Sequence, residues 1–533
     1  MDWERDSREE RQKRERRDLQ HTGALLGDLA RPAFLVSLAF LVAMLGACKM
    51  GPDYVRPETP TADSWRVASS TAESIANLSW WELLKDKELQ NLIRIALAEN
   101  QDVRTAISTV EEYRAQLVMT RWDLAPSLSY GGTAFLYQSS GNATTIPGGG
   151  GAIVIPGQQG GSDGTTFSNT IGFGSLKWEL DLWGRLRRAV EASEAQLFAQ
   201  EDNQRAVILG LVGSVSEAYF SLRSLDLQVD ITRRTLKSWE ESVRLSQLRY
   251  KQGYIPKLDL DRFEAERAGT AAKLADLEKQ VAQKENQLSA LLGRKPATIT
   301  RGLALTEQPM PPDVPAGLPS ELLQRRPDLL QAEQMLVAAT AGIGVAQAQR
   351  FPQLALTGAI GGANAQLSGS SIGPLFIQNI SASLVGPLLN ATALGYQVTV
   401  NETRAKQAAL QYEKAVVNAF REVEDALIAV QKTREQREAQ EQQVTALQSA
   451  LHFADQRYQG GRASYLDVLT SQRSLFEAEL ELAKTRRTQL VSVVQLYKAL
   501  GGGWAPDGSA APRLISTPVG PGVGQPEAAA ISH

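Results

Sequence analysis

Apolar residues recur every seven positions along two stretches of the chain. The first series is Val215, Leu222, Val229, Leu236, Val243 and Tyr250, and the second is Val423, Val430, Arg437 (its one polar member), Val444, Leu451 and Tyr458. A seven-residue apolar repeat is typical of helices that wind around each other with a left-handed supercoil. The spacing predicts one helix from Trp183 to Arg249, about 100 Å long at ~1.5 Å per residue. Helices of about half that length are predicted at 87–120 and 258–292.

Four segments between the helical stretches alternate apolar residues with small polar ones. They predict strands of roughly ten residues at 127–137, 165–176, 353–362 and 375–385. The last segment shows the pattern clearly, because Ile380 and Leu384 stand on either side of Ser381 and Ser383. Such alternation suits transmembrane strands, but it equally suits a soluble antiparallel sheet with one wet face.

Charge distribution favours the membrane interpretation of these strands. Lysine, arginine, aspartate and glutamate are absent from 127–162 and from 353–401. The glycine-rich insert at 141–164 is then expected to be a long extracellular loop. Four strands cannot close a barrel in lipid, because an open edge leaves backbone groups unpaired. Two chains would give about eight strands with a filled interior, and three would give about twelve, wide enough for a pore.

One unit of helices and strands occurs twice in the chain. Arg249-Tyr250-Lys251-Gln252-Gly253 corresponds to Arg457-Tyr458-Gln459-Gly460-Gly461 at an offset of 208 positions. The agreement includes turn glycines, which argues for a tandem repeat rather than chance similarity between coiled coils. The predicted domains are a charged run and signal peptide at 1–47, an extended tether at 48–78, the two repeats at 79–300 and 301–503, and a disordered tail at 504–533.

The N-terminal region has the features of a bacterial lipoprotein. After Arg31 come 16 uncharged residues, Pro32 to Ala47. These are too few for a membrane-spanning helix, which needs about 20, but they suit a secretory signal. Leu45-Gly46-Ala47-Cys48 then resembles a lipobox, which predicts cleavage before Cys48 and a covalent lipid on its sulfur. The alternative is a signal peptide followed by an incidental buried cysteine.

Composition excludes several classes of function. A formal net charge of −3 gives no basic surplus for nucleic acid. The single cysteine can form neither an intramolecular disulfide nor a multi-cysteine metal site. The three histidines, His21, His452 and His533, are widely separated, and no nucleophile elbow, P-loop or dinucleotide fingerprint occurs. We therefore expect neither an enzyme nor a bound metal or cofactor, apart from the covalent lipid on Cys48.

Several dispersed motifs resemble those of one family. They are Trp80-Trp81, Trp178-Glu179-Leu180-Asp181-Leu182-Trp183-Gly184-Arg185, Gly317-Leu318-Pro319-Ser320, Arg325-Arg326-Pro327-Asp328 and Phe351-Pro352. They resemble the TolC-like outer membrane factors, most closely the lipidated NodT-type efflux subgroup. The resemblance implies an α/β membrane protein that forms a homotrimer, with a 12-stranded barrel in the outer membrane above a long helical tunnel in the periplasm. It also implies efflux, with a periplasmic adaptor and an inner-membrane pump, commonly of the RND class, as partners.

The resemblance assigns adaptor contact to the two helix–turn–helix tips at 249–259 and 457–467. The residues concerned are Arg249, Tyr250, Gly253, Leu258, Asp259, Arg457, Gly461 and Ser464. Independently of the family, Gly253 and Gly461 suit the left-handed C-cap that ends a long helix. Both tips are also ordinary hairpin turns, whatever else they contact.

A periplasmic gate is implied just past the second turn. Its residues here are Tyr458, Leu466, Asp467, Thr470 and Arg473. Leu466 would be an apolar plug, and Thr470 stands where an aspartate is common in the family, which leaves one acidic ring from Asp467. Hydrogen bonds of Tyr458 or Arg473, or bound cations, would hold the closed state. Alternatively, Asp467 only caps the following helix at its N-terminus.

Other duct and scaffold functions remain open at this point. A type I protein secretion duct would use the same architecture as an efflux duct. A periplasmic adaptor or a structural coiled-coil lipoprotein also has long helices and an anchor. The duplicated unit of helices and strands disfavours an adaptor, whose helical hairpin is usually single and flanked by soluble β-domains.

Overall fold

The computed structural model describes residues 49–58, 65, 85–139, 144–148, 151–155, 164–309, 322–367 and 370–502. Some sequence predictions lie outside these residues. They are the signal segment at 1–47, the lipidation site Cys48, most of the tether beyond residue 58, the motifs at Trp80-Trp81 and Gly317-Ser320, and the tail at 504–533.

The described residues form eight helices and six strands. The helices are α1 (Lys87–Glu99), α2 (Gln101–Trp122), α3 (Arg185–Lys251), α4 (Lys257–Leu291), α5 (Leu322–Arg325), α6 (Pro327–Ala348), α7 (Ala391–Gln459) and α8 (Tyr465–Ala499). The strands are β1 (Ser127–Ser139), β2 (Thr144–Gly148), β3 (Gly151–Ile155), β4 (Gly164–Leu180), β5 (Gln353–Leu367) and β6 (Ser370–Val385). Helices α3 and α7 have 67 and 69 residues, and each is followed by a helix of 35 residues.

Two of the predicted helices are confirmed and one is wrong. Helix α3 has the predicted length, shifted by two residues, and α4 matches the prediction at 258–292 to within one residue. The single helix predicted at 87–120 is interrupted at Asn100, whose ψ of 134° is extended. The Asn100 side-chain oxygen accepts hydrogen bonds from the backbone amides of Asp102 (2.8 Å) and Val103 (3.2 Å). Asn100 thus caps α2 and separates it from α1.

The heptad positions fill the interior of the helical region. Val215, Leu222 and Val423 are fully buried, as is Trp239, which lies four residues before Val243 on α3. The pattern fails at its last member, because Tyr250 is exposed at the end of α3. Seven residues before Tyr250, Val243 of the series is still buried, together with Trp239, where Phe263 of α4 and Leu469 of α8 cover the helix.

The four predicted strands are confirmed and are longer than expected. They form one antiparallel sheet in the order β1-β4-β5-β6, with 13, 17, 15 and 16 residues. Strand β4 continues past the predicted end at 176, because Lys177 and Glu179 lie on its polar face while Trp178 and Leu180 keep the apolar alternation. The glycine-rich insert, expected to be a loop, contains the β2–β3 hairpin.

The sheet has one apolar face and one polar face over the part whose side chains are described. Directly paired residues share a face, so Leu176, Gly358 and Ile380 form one row. The neighbouring row on the opposite face pairs Thr357 with Ser381, whose hydroxyl oxygens are 2.7 Å apart. The large exposed apolar residues of the sheet include Leu128, Ile360, Phe376, Ile380 and Leu384.

The chain divides into two compact units, each built from segments of both predicted repeats. Among the described residues, one unit holds 49–55, 113–197 and 335–408, and it contains the four-stranded sheet. The other holds 56–112, 198–334 and 409–502, and it contains the largest hydrophobic cluster. That cluster includes Tyr219, Phe220 and Leu222 of α3 together with Tyr412 and Val423 of α7.

Candidate functional site at the two hairpin tips

The first tip is the turn between α3 and α4. Gly253 has a φ of +79°, which confirms the predicted left-handed C-cap. Its amide donates to the carbonyl of Tyr250 (2.9 Å), and the next amide, of Tyr254, donates to the carbonyl of Arg249 (2.9 Å). These two bonds are those of a Schellman motif, which satisfies the last carbonyls of the helix. Helix α4 then begins after Pro256, which offers no side-chain cap.

The second tip repeats the Schellman geometry between α7 and α8. Gly461 has a φ of +69°, and its amide donates to the Tyr458 carbonyl at 3.0 Å. Helix α8 begins differently from α4, because the Ser464 hydroxyl accepts a hydrogen bond from the Leu466 amide at 3.1 Å. The N-cap is therefore Ser464 and not Asp467. Asp467 lies in the first turn, where a carboxylate still favours the helix dipole.

Tyr458 links the two tips. The Arg249 guanidinium, on α3, donates a short hydrogen bond to the Tyr458 hydroxyl on α7, and its carbon lies 5.3 Å from the centre of the Tyr458 ring. On its other side, Tyr458 meets the ring of Tyr465 edge-on, with centroids 5.1 Å apart. Tyr458 is thus held by a cation and by an aromatic neighbour on the next helix.

An aromatic cluster behind Tyr458 holds the two hairpins together. Trp239, Val243, Phe263 and Leu469 are buried in it, and Tyr465 packs against it. The rings of Phe263 and Tyr465 have centroids 4.0 Å apart, which joins α4 to α8. Burial raises the pKa of the Tyr465 hydroxyl far above its ordinary value, so this hydroxyl stays protonated. Phe263 and Tyr465 are not predicted from the sequence, because neither belongs to a heptad series.

The remaining predicted gate residues lie on one stretch of α8. Arg473 forms an ion pair with Glu266 of α4, with Nε and Oε1 3.5 Å apart. The Thr470 hydroxyl donates to the Leu466 carbonyl one turn earlier at 2.8 Å, so it is engaged within its own helix. Leu466, Asp467 and Thr470 are all exposed. Within the described chain, Tyr458 and Arg473 thus make contacts between the hairpins, whereas Leu466, Asp467 and Thr470 lie at the surface.

The predicted adaptor-contacting residues lie at the surface of the tips. Exposed members are Tyr250, Gly253, Leu258, Arg457, Gly461 and Ser464, whereas Arg249 and Asp259 are half-buried. The Asp259 carboxylate accepts a long hydrogen bond, 3.4 Å, from Arg262. Exposed apolar side chains at both turns, Leu258 and Leu466 among them, are features of a contact surface.

A cavity of about 680 Å³ lies between the hairpins next to Tyr458. Its lining mixes cations, anions and apolar groups: Arg244, Arg249, Glu241, Asp455, Leu245, Leu451 and Phe263 among others. Such a mixed lining lacks the convergent geometry of a catalytic site. Within the described part of the chain, no three His, Cys, Asp or Glu side chains group together as a metal site.

Comparison with known proteins identifies the family. The family model described as "Outer membrane efflux protein" matches residues 92–294 and 318–502. The toluene efflux pump outer membrane protein TtgC of Pseudomonas putida is 35% identical over 482 residues, which cover 88% of this chain and 96% of that protein. The cation efflux system protein CusC of Escherichia coli is 32% identical over 472 residues, covering 88% and 98%.

A solved structure agrees with the sequence relatives. The open state of the MtrE outer membrane channel of Neisseria gonorrhoeae superposes with a TM-score of 0.72 at 30% identity, covering 86% of this chain and 98% of that one. These names describe transport components rather than enzymes. Since the family model matches both halves of the chain and the relatives are covered almost end to end, this protein belongs to the outer membrane efflux protein family and acts as an efflux duct in the outer membrane.

Proposed function

We propose that three copies of this chain form one duct, with a 12-stranded barrel in the lipid and a helical tunnel in the periplasm. The observation that carries the proposal is the sheet, whose exposed face presents Leu128, Ile380 and Leu384. Among the described residues, strands β1 and β6 lie at its edges, and each pairs with a single strand. Lipid cannot satisfy such edges, so neighbouring chains must supply the missing partners. Three times four strands gives about twelve, which is wide enough for a pore.

The surface of α7 supports assembly through the helices as well. Tyr396, Leu410 and Val417 are exposed apolar residues separated by multiples of seven. A heptad series that faces outward needs a helix from another chain to cover it. The two predicted repeats, 79–300 and 301–503, would then alternate around the threefold axis to give a ring of six similar units.

Efflux requires partners on the inner side of the envelope. Relatives are named as parts of a toluene efflux pump and a cation efflux system. We propose that the tips of this protein meet a periplasmic adaptor, which connects the duct to an inner-membrane pump of the RND class. Gly253 and Gly461 shape the turns, and exposed residues beside them, including Leu258 and Arg457, supply the contact. In this arrangement the pump selects the exported compounds and the duct conducts them.

A resting gate at the second tip is the next element of the proposal. Three copies of Leu466 would close the tunnel as an apolar plug, beside one ring of Asp467 carboxylates and a ring of Thr470 hydroxyls. Tyr458 and Arg473 would hold the closed state, since each bonds to the neighbouring hairpin. Opening then requires the α7–α8 hairpin to move away from Arg249 and Glu266.

A covalent lipid on Cys48 would anchor each chain in the outer membrane in addition to the barrel. The residue after the cysteine is Lys49 and not an aspartate. The sorting signals that this sequence resembles allow a lysine at this position in lipoproteins of the outer membrane. Several acyl chains bind more firmly than a single myristoyl-length chain. Mass measurement of the mature protein tests this point, because an unmodified Cys48 or a cleavage site elsewhere would contradict it.

Planar-bilayer recording tests the duct directly. The purified protein should insert as a trimer and raise the conductance in discrete steps. Photo-crosslinking from position 258 or 457 should capture an adaptor in cells. Lys273, which is exposed and lies farther along α4 from the tip, serves as the control position. If the protein produces no conductance steps, even in variants that lack the gate contacts of Tyr458 and Arg473, the proposed function is excluded.

A further inference from the structure

One arginine outside the tips is buried with an unusual set of partners. Arg188, in the first turn of α3, exposes 1% of its surface. Charged side chains are almost never buried to this extent unless they are paired. Its burial therefore indicates that the surrounding residues were arranged to receive a guanidinium.

Every N–H group of Arg188 has an acceptor. Nη1 donates to the two carboxylate oxygens of Glu191, at 3.2 and 3.0 Å. Nε donates to the carbonyl of Met50 at 2.9 Å, while Nη2 donates to the carbonyl of Gly51 at 3.0 Å and to Oδ1 of Asp53 at 2.8 Å. Three of these five bonds thus go to one short segment far away in sequence, and two of those three go to its backbone.

That segment, residues 49–53, is called here the strap. Besides its bonds to Arg188, its first residue Lys49 pairs with Glu191, with Nζ and Oε2 2.5 Å apart. The Met50 amide donates to the carbonyl of Trp183 at 3.1 Å. The strap is therefore bonded to the chain just before α3 and to the first turn of the helix itself.

Two glycines allow the strap to approach α6. A Cβ on Gly51 would lie 2.4 Å from the Cα of Gly344, and one on Gly344 would lie 2.5 Å from the Met50 carbonyl oxygen. Gly51 also has a φ of +89°, which side chains other than glycine rarely adopt. Backbone thus packs directly on backbone at this point, which leaves no room for an intervening side chain.

We infer that Arg188, Glu191 and Gly344 form a built seat for the strap and fix where the lipid anchor joins the protein. Cys48 directly precedes Lys49, and consecutive Cα atoms are about 3.8 Å apart. The seat therefore holds Lys49, from which the lipid anchor would extend, beside the junction of β4 and α3. The positioning role rests on the lipidation proposed above, whereas occupancy of the seat by the strap does not.

Limited trypsin digestion of the full-length protein in detergent tests the seat. Cleavage of the Lys49–Met50 bond gives a core fragment that begins at Met50, which intact-mass measurement identifies. In the wild type this bond should resist trypsin. Arg188→Met should speed its cleavage at least about tenfold, the effect of losing a hydrogen bond to a charged group. Arg188→Lys should also speed cleavage, because an ammonium lacks the forked donors of the guanidinium. The increase should be smaller than in Arg188→Met, because lysine keeps the positive charge.

A second variant acts from the side of the strap, in case Arg188→Met fails to fold. Gly51→Ala leaves α3 unchanged but should expose the same bond at least about tenfold faster, since a Cβ cannot fit there. Gly395→Ala is the matched control, because nothing lies within 4 Å of a Cβ at that position and cleavage should not change. Wild-type cleavage as fast as that of a free peptide of this sequence, or unchanged cleavage in both variants, would overturn the seat.

The mass of the undigested protein separates this inference from lipidation. An unacylated chain with a protected Lys49–Met50 bond would keep the seat and remove its anchoring role. An acylated chain whose Lys49–Met50 bond is cut at the same rate in all variants would confirm lipidation and overturn the seat. Cys48→Ser should be as protected as the wild type.

Discussion

Large apolar side chains have opposite environments in the two units of the chain. In the helical unit Leu222 is fully buried, whereas on the sheet of the other unit Ile380 is 91% exposed. The residue types are similar, but the patterns differ: a seven-residue repeat in one and strict alternation in the other. Helices of the same chain cover the first pattern. The second has no cover within its own chain over the described part of the sheet, so lipid is the solvent that suits it.

The largest effect is expected where the chain buries its own apolar groups. Leu222→Ala should lower the free energy of unfolding by about 2–5 kcal/mol, because it leaves a cavity in the main cluster. Denaturant unfolding of the purified protein, followed by helical circular dichroism, measures the loss. Leu245→Ala on the same helix is the control, since Leu245 is half-exposed and its truncation should cost little. Equal losses at both positions would contradict the burial pattern.

A charge on the exposed apolar face of the sheet should cost nearly as much. Ile380→Lys is expected to destabilise the assembled protein by about 2–4 kcal/mol if the residue lies near the bilayer midplane. Heat stability of the oligomer in mild detergent measures the effect. Ser381→Lys, one position along the same strand, places the charge on the polar face and should be much better tolerated. Unchanged heat stability in Ile380→Lys would mean that this face of the sheet meets water rather than lipid.

An acidic group buried among the helices should make stability depend on pH. Burial raises the pKa of the Asp202 carboxyl to about 6, although Arg205 at 2.9 Å opposes the shift. Since the folded state binds the proton more tightly than the unfolded state, stability should fall as pH rises from about 4 to about 6. The total loss is at most about 3 kcal/mol. Thermal unfolding between those pH values should show the slope in the wild type and a weaker slope in Asp202→Asn, with exposed Asp230→Asn as the control.

The smallest expected effect concerns the closed tip. Tyr458→Phe removes the acceptor of the Arg249 hydrogen bond but keeps the ring packing, a change of about 1 kcal/mol. Single-channel recording should show a severalfold rise in resting leak. Asp467→Ala should weaken divalent-cation block, because it removes the proposed acidic ring. If both variants match the wild type in leak and in block, the gate lies elsewhere.

The long helices and their turns could be predicted because the relevant signals are local. Heptads set the length of α3, and Gly253 and Gly461 supply the left-handed conformation that ends a helix. The break at Asn100 was missed although its signal is also local, since an asparagine followed by Gln101-Asp102 is a good N-cap.

Contacts between distant segments could not be predicted. The pairing of Phe263 with Tyr465 depends on the register between two hairpins, which no heptad count determines. Arg188 stands three residues after the recognised motif at 178–185, but its partners in the strap lie more than 130 positions earlier in the sequence. Strand β4 runs to Leu180, past the predicted end at 176, and Lys177 and Glu179 lie on its polar face.

The central claim is that the exposed sheet belongs to a barrel closed by three chains. Light scattering of the protein, extracted from the outer membrane in mild detergent and corrected for bound detergent and lipid, counts the chains per particle. The account predicts three, and it predicts that Ile380→Lys reduces this number while Ser381→Lys does not. A stable monomer, or a dimer with eight strands, would contradict it.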